Sequence, residues 1–255
     1  MMPFEAKRPY QELGLLLRQE LADGCYSVGD RLPPERDIAE RLNVSRTVVR
    51  EAIIMLELEN LVEVKKGSGV YVLNIPSDLN GREHVISDDS GPFEMLQARQ
   101  LLESNIAEFA AIQVTPSDIV KMRNALEIER NEIASGSENC VGDETFHLCI
   151  AEATQNSVLI DMLKHSWARR ENSPMWKKLH THIGGVDYRE EWLEDHARIL
   201  AAMQRKDPIA AKNAMWQHLE NVKQRLLELS DVDDPNFDGY LFDSNPVVSL
   251  DSERR

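Results

Sequence analysis

Cysteine is scarce in this chain: three among 255 residues, Cys25, Cys140 and Cys149. An odd count at these spacings builds no disulfide framework, so the thiols are read as reduced and the protein as cytoplasmic. Long apolar runs are missing too. No stretch approaches the roughly 18 residues that span a bilayer, and the N-terminus, MMPFEAKRPYQE, has no apolar signal core. Secreted and membrane classes are set aside on those grounds. No H-E-x-x-H run is present, and Glu144/His147 is the one Glu-x-x-His pair, where a di-iron bundle needs two. These absences weaken a metalloenzyme reading, whether a di-iron bundle or a mononuclear hydrolase. Basic charge is also short, with 29 Lys and Arg against 44 Asp and Glu, a net of −15.

That acidity looks hostile to nucleic acid, but it is unevenly placed. Residues 1–75 hold 10 basic and 12 acidic side chains, a net of −2, so the other 180 residues carry −13. Binding depends on the local field and not on the total. Arg36, Arg41, Arg46 and Arg50 fall in one stretch, with Lys65 and Lys66 just beyond.

A chain of this length exceeds one typical domain of about 100–150 residues, which predicts two. Pro9 suits a first helical turn, and Tyr10, Leu13, Leu17 and Leu21 follow at helical spacing. Asp23-Gly24 ends that helix. Pro33-Pro34 is expected to start a short helix through Leu42, and Asn43-Val44 to form the turn. Ser45 then caps a helix to about Glu59, with Val48, Val49, Ala52, Ile53 and Leu56 inward. Leu61–Val64 and Val70–Leu73 read as strands of a glycine-rich hairpin. The whole is a winged helix-turn-helix over residues 1–75. Residues 76–91 are polar and aperiodic, an interdomain linker. Residues 92–230 carry helical patterns near 93–112, 116–135, 141–155, 157–170, 189–205 and 208–229, an all-α bundle. Residues 231–255 form an acidic tail whose Phe237, Tyr240, Leu241 and Phe242 give it a means of docking. The expected fold class is mainly α.

A helix in the major groove reads base edges with its first turns, while hydroxyls and amides hold phosphates. Arg46 and Arg50 lie i,i+4, and Arg36 opens the preceding helix. Gly67 and Gly69 let the wing approach DNA, and Lys66 supplies charge there. Leu32-Pro33-Pro34-Glu35-Arg36, Val44 through Glu51 and Gly67-Ser68-Gly69 resemble the DNA-binding head of the GntR family. That resemblance, over about the first 73 residues, implies operator contacts by Arg36, Arg46, Arg50 and Gly67. Ser45, Thr47 and Lys66 are further candidates.

Asp143 and His147 are also i,i+4 on a predicted helix, so both can face one metal ion. Alone this is weak, because with 44 acids and seven histidines chance supplies about one such pair, and Asp161/His165 is another. The C-terminal part resembles the FadR-like (FCD) domain of GntR regulators, where an Asp-x-x-x-His pair joins two later histidines around a divalent metal. His196 and His218 fill those two positions. Zinc is the first expectation, with nickel, cobalt or manganese open to the same donors. Arg99 matches a family arginine near the effector pocket, where a guanidinium clamps a carboxylate. GPFEMLQARQLLESNIAEFAA, NSPMWKKLH, AAKNAMWQHLENVK and FDGYLFDS are similar to the hexuronate-responsive repressors of the uxu and exu operons and their sugar-acid relatives. The resemblance implies a homodimeric repressor on a palindromic operator, released by a sugar-acid effector. Two alternatives stay open: a regulator whose signal is the metal itself, and a metal-dependent enzyme acting on uronates.

Overall fold

The computed structural model describes residues 8–65, 68–76, 90–137, 140–182 and 188–230. Lys66 and Gly67 of the wing, most of the expected linker and the whole acidic tail lie outside the described residues.

The head is α1 (Pro9–Ala22), α2 (Glu35–Leu42), α3 (Arg46–Leu58) and a two-stranded wing, β1 (Val62–Lys65) and β2 (Gly69–Val72). Tyr10, Leu13, Leu17 and Leu21 are all buried and seat α1 on α3. The helix expected at Pro33-Pro34 begins instead at Glu35, with Pro34 at the N-cap in extended backbone. The second proline disfavours helical backbone at the first, which keeps Pro33 out of the helix. Asn43 ends α2 in the left-handed region at φ 53°, where a short amide side chain is tolerated. Ser45 caps α3 by accepting the Val48 N–H at 3.4 Å. The wing strands pair antiparallel from Val62 opposite Val72 to Lys65 opposite Gly69, and Arg31 bridges Tyr71. Gly69 has φ +112°, and a methyl there would overlap the Arg31 guanidinium. Only glycine meets both demands.

The second part is α4 (Pro92–Gln113), α5 (Pro116–Ala134), α6 (Val141–Ala153), α7 (Ser157–Asn172), α8 (Pro174–His182), α9 (Tyr188–Gln204) and α10 (Pro208–Ser230). The chain is therefore mainly α, a winged helix-turn-helix followed by a helical bundle. Prolines open α4, α5, α8 and α10 at positions where the missing N–H costs nothing. Thr115 and Asp118 form a reciprocal capping box at the start of α5. Helix α8 lies within a stretch for which the sequence pattern predicted no element. It starts because Ser173 accepts the Trp176 N–H at 3.0 Å, so Ser173-Pro174 acts as cap and first turn.

Two apolar cores result. One lies inside the bundle, around Phe146, Ile150, Met122, Met203 and Met215. The other begins in the head at Tyr10, Ile38, Ile53 and Leu56. It continues without a break through Phe93 and Leu96 of α4, Met175, Trp176 and Leu179 of α8, and Leu226 of α10. At one end of this seam, buried Glu51 of α3 accepts the Phe93 N–H at 2.9 Å and the Glu94 N–H at 3.3 Å. It thereby caps α4 from another element. At the other end Glu57 of α3 pairs with His182 at 2.8 Å and Lys178 at 3.1 Å.

Candidate metal centre and nucleic-acid interface

Helices α6, α9 and α10 bring Asp143, His147, His196 and His218 together, all buried, with one potential ligand atom from each within 4.8 Å of the others. Asp143 Oδ1 lies 3.4 Å from His147 Nε2 and 3.6 Å from His196 Nε2. His196 Nε2 lies 3.1 Å from His218 Nε2. The four residues expected to act together do meet.

Each imidazole is oriented from behind by a carboxylate. His147 Nδ1 faces Glu103, His196 Nδ1 faces Glu129 at 2.8 Å, and His218 Nδ1 faces Asp195 at 3.4 Å. A ring that donates its Nδ1 proton backward presents the Nε2 lone pair forward. Three such lone pairs and a carboxylate oxygen therefore converge. The buried Nε2 of His147 has no hydrogen-bond acceptor or donor partner, and the His196 and His218 Nε2 atoms face each other with no proton left to share. A divalent cation resolves both defects, so the donor set fits one. Three imidazoles and a carboxylate suit zinc, and equally nickel, cobalt or manganese.

The electrostatics fit the same reading. Burial pushes Asp143 up, but His147, His196 and Arg170 outweigh it and hold the carboxyl well below its usual range. Burial likewise opposes the charged form of His147, yet Glu103 and Asp143 raise it to about 9. Burial, with His196 adding to it, drives His218 down to about 3. The site thus favours a second proton on His147 and keeps His218 neutral; a bound cation would displace that extra proton from His147 Nε2 and take over its positive charge.

Beside the donors lie two arginines and two indoles. Arg99 of α4 is buried, donates from Nε to Glu103 at 2.6 Å, and lies 4.3 Å from the Trp167 ring centre. The expected effector residue therefore reaches the site through the same Glu103 that orients His147. Arg170 of α7 stacks on Trp167 and Trp176 at 4.6 and 4.7 Å. It approaches Asp143 Oδ2 no closer than 3.7 Å. The pair Asp161/His165 is different: His165 Nδ1 meets only the Asp161 backbone carbonyl, on an exposed surface.

The head presents fewer cations than its sequence promises. Arg36 is exposed and only loosely near Asp37 at 3.8 Å. Ser45 and Thr47 share a 2.7 Å hydrogen bond at the exposed start of α3. The shared face of Arg46 and Arg50, for which the family resemblance implies operator contacts, is turned inward. Arg46 is 7% exposed and Arg50 2%. Arg50 makes a two-pronged ion pair with Glu35, at 2.5 and 2.6 Å, which ties α3 to α2.

The sequence model of the gntR family of bacterial regulatory proteins matches residues 9–72, and that of the FCD domain matches 94–221. The Uxu operon transcriptional regulator of Escherichia coli (strain K12) is 58% identical over 251 residues, 97% of this chain and 98% of that one. The chain belongs to the gntR family of bacterial regulatory proteins. The Exu regulon transcriptional regulator of the same strain is 51% identical, over 97% of this chain and 96% of that one. Among solved structures, Streptococcus agalactiae GntR aligns at 25% identity with a TM-score of 0.45, covering 85% of this chain and 99% of that one.

As a gntR-family member it is a DNA-binding transcriptional regulator and not an enzyme. Among its described residues no helix is long and apolar enough to cross a membrane. Sequence reasoning on this regulator missed Glu103, Glu129, Asp195, Arg170, Trp167 and Trp176. The carboxylates sit 44, 67 and 23 positions from the histidines they orient, a separation in which no local spacing signals a pairing.

Proposed function

We propose that the protein is a homodimeric repressor of hexuronate catabolic genes that binds a palindromic operator and releases it when a sugar acid occupies the bundle beside a divalent metal. The names of the Uxu and Exu relatives, at 58% and 51% identity over nearly the whole chain, support the gene class. The observation that carries the effector reading is the convergence of Asp143, His147, His196 and His218 beside buried arginines. Those four residues would hold the metal, which when bound supplies a Lewis-acidic seat for carboxylate or hydroxyl oxygens. Glu103, Glu129 and Asp195 fix the imidazole tautomers, and the indoles of Trp167 and Trp176 exclude water. On the head, Arg36, Ser45 and Thr47 are the exposed candidates for phosphate and base contact. Lys66 and Gly67 of the wing join them as sequence-derived candidates. Arg46 and Arg50 act on DNA only in an arrangement that turns them out of the interior.

Operator gel shifts across galacturonate, glucuronate, fructuronate and aldonates, with and without chelator, test this reading. The expected result is release by one acid and loss of that response on chelation. No acid altering operator binding would sink the induction idea. Operator affinity that follows the metal at fixed sugar would instead favour a metal-sensing regulator. His196→Ala should lower metal content by elemental analysis and abolish the effector response.

A further inference from the structure

Among the described residues Arg170 has no hydrogen-bonded counter-charge, only a long ion pair with Asp143. It is 7% exposed, and burying a charge without a close, hydrogen-bonded partner is expensive. Its nearest carboxylate oxygen is Asp143 Oδ2 at 3.7 Å, beyond hydrogen-bond reach. The other oxygen of Asp143 faces His147 and His196, so Arg170 shares that carboxylate with two imidazoles. Glu103, the second buried acid at this corner, is taken by Arg99 at 2.6 Å and by His147. What holds Arg170 is aromatic: the rings of Trp167 and Trp176 at 4.6 and 4.7 Å. Stacking fixes the plane of the guanidinium and leaves its in-plane N–H groups for another partner.

A second donor in the same cluster is also unfilled. The indole Nε1–H of Trp167, a residue only 2% exposed, has no acceptor. The guanidiniums of Arg170 and Arg99 both lie against its ring, 4.6 and 4.3 Å from the ring centre. Beside Trp176, the buried Nε2 of His180 is likewise without a partner among the described residues, its ring 5.2 Å from the indole. A planar cation whose one ion pair is long, beside a buried indole N–H that lacks an acceptor among the described residues, describes a seat for an anion with a flat, two-oxygen head.

We infer that Arg170, and not Arg99, anchors the carboxylate of the effector, with the Trp167 indole N–H as a further donor and His180, beside Trp176, meeting a hydroxyl. The inference rests on the sugar-acid reading above and assigns its acid-specific contact. Arg99 is then a positioning residue, acting on His147 through Glu103. Selectivity for a uronate over the neutral sugar follows, because a hydroxymethyl group in the same place leaves Arg170 uncompensated.

The test is calorimetric binding of galacturonate and of galactose to the full-length, metal-loaded protein and to two variants. Arg170→Met removes the charge and keeps the stem. It should preserve metal content, operator affinity and effector-free melting temperature while weakening galacturonate at least about 100-fold, as expected on losing a buried charge-assisted pair. Arg170→Lys keeps the charge without the fork and should weaken it about tenfold. A variant of either kind that binds within about twofold of wild type overturns the assignment. So does an Arg170→Met protein that melts several degrees lower, since that marks Asp143–Arg170 as a structural ion pair. Wild-type protein that binds no uronate sinks the sugar-acid reading itself, a separate outcome seen before any variant is made.

Discussion

Replacing Glu51 with glutamine asks whether the head and the bundle are joined through one titrating contact. The carboxyl is buried on α3 and accepts two backbone N–H groups at the start of α4. Burial is the largest influence and pushes its pKa from 4.5 up to about 7; the Phe93 and Glu94 amides and Arg8 oppose the rise and the Glu94 side chain adds to it. In the folded protein Glu51 therefore takes up a proton near neutrality, whereas the unfolded chain does so only near its ordinary value. Between those two values the folded state binds more protons, so stability falls as pH rises through the window. A displacement of that size is worth about 3 kcal/mol at about 1.4 kcal/mol per unit. Denaturant unfolding of wild type and Glu51→Gln between pH 5 and pH 8 measures it. Wild type should lose about 2–3 kcal/mol more than the variant over that range. Parallel pH profiles for the two proteins would refute the reasoning. Gly91→Ala attacks the same contact sterically, because a methyl there would overlap the Glu51 carboxylate, and it should destabilise wild type at every pH.

Three other outcomes are expected. Glu35→Gln removes the buried carboxylate that grips Arg50 with two prongs and should cost about 3–5 kcal/mol in denaturant unfolding, while the double variant Glu35→Gln, Arg50→Met should recover most of it. Glu129→Gln leaves all four metal donors in place but loosens His196, so competition with a chromogenic chelator should report metal affinity about 10–100-fold lower. Arg36→Ala should weaken operator binding and reduce the slope of log affinity against log salt by about one; an unchanged slope would take Arg36 off the phosphates.

The elements were legible where periodicity and punctuation agree. Pro9 with Tyr10, Leu13, Leu17 and Leu21 wrote α1, and Pro116 and Pro208 marked α5 and α10. Helix α8 was not, because a nine-residue helix gives too few turns for a period to stand out. Its signal was the Ser173-Pro174 cap instead. The ligands were legible because Asp143 and His147 share one helix and the family resemblance supplied His196 and His218. The carboxylates behind them were not, since pairing between helices leaves no mark in local spacing. Arg50 shows the opposite failure. An arginine one turn past Arg46 reads as a solvent-facing cation, yet Glu35, 15 residues earlier, draws it inside.

The unbroken apolar seam from α3 into α8 and α10 bears on how this regulator can be taken apart. The DNA-reading unit borrows part of its interior from the control domain. A chain cut after residue 76 would lose Phe93, Leu96, Met175, Trp176 and Leu179 from one side of that shared core and leave its own apolar surface wet. Head and bundle should accordingly melt in a single transition, and any ligand that tightens the bundle should raise the melting point of the head with it. Grafting this head onto a foreign control domain would require carrying the start of α4 and the whole of α8 along with it.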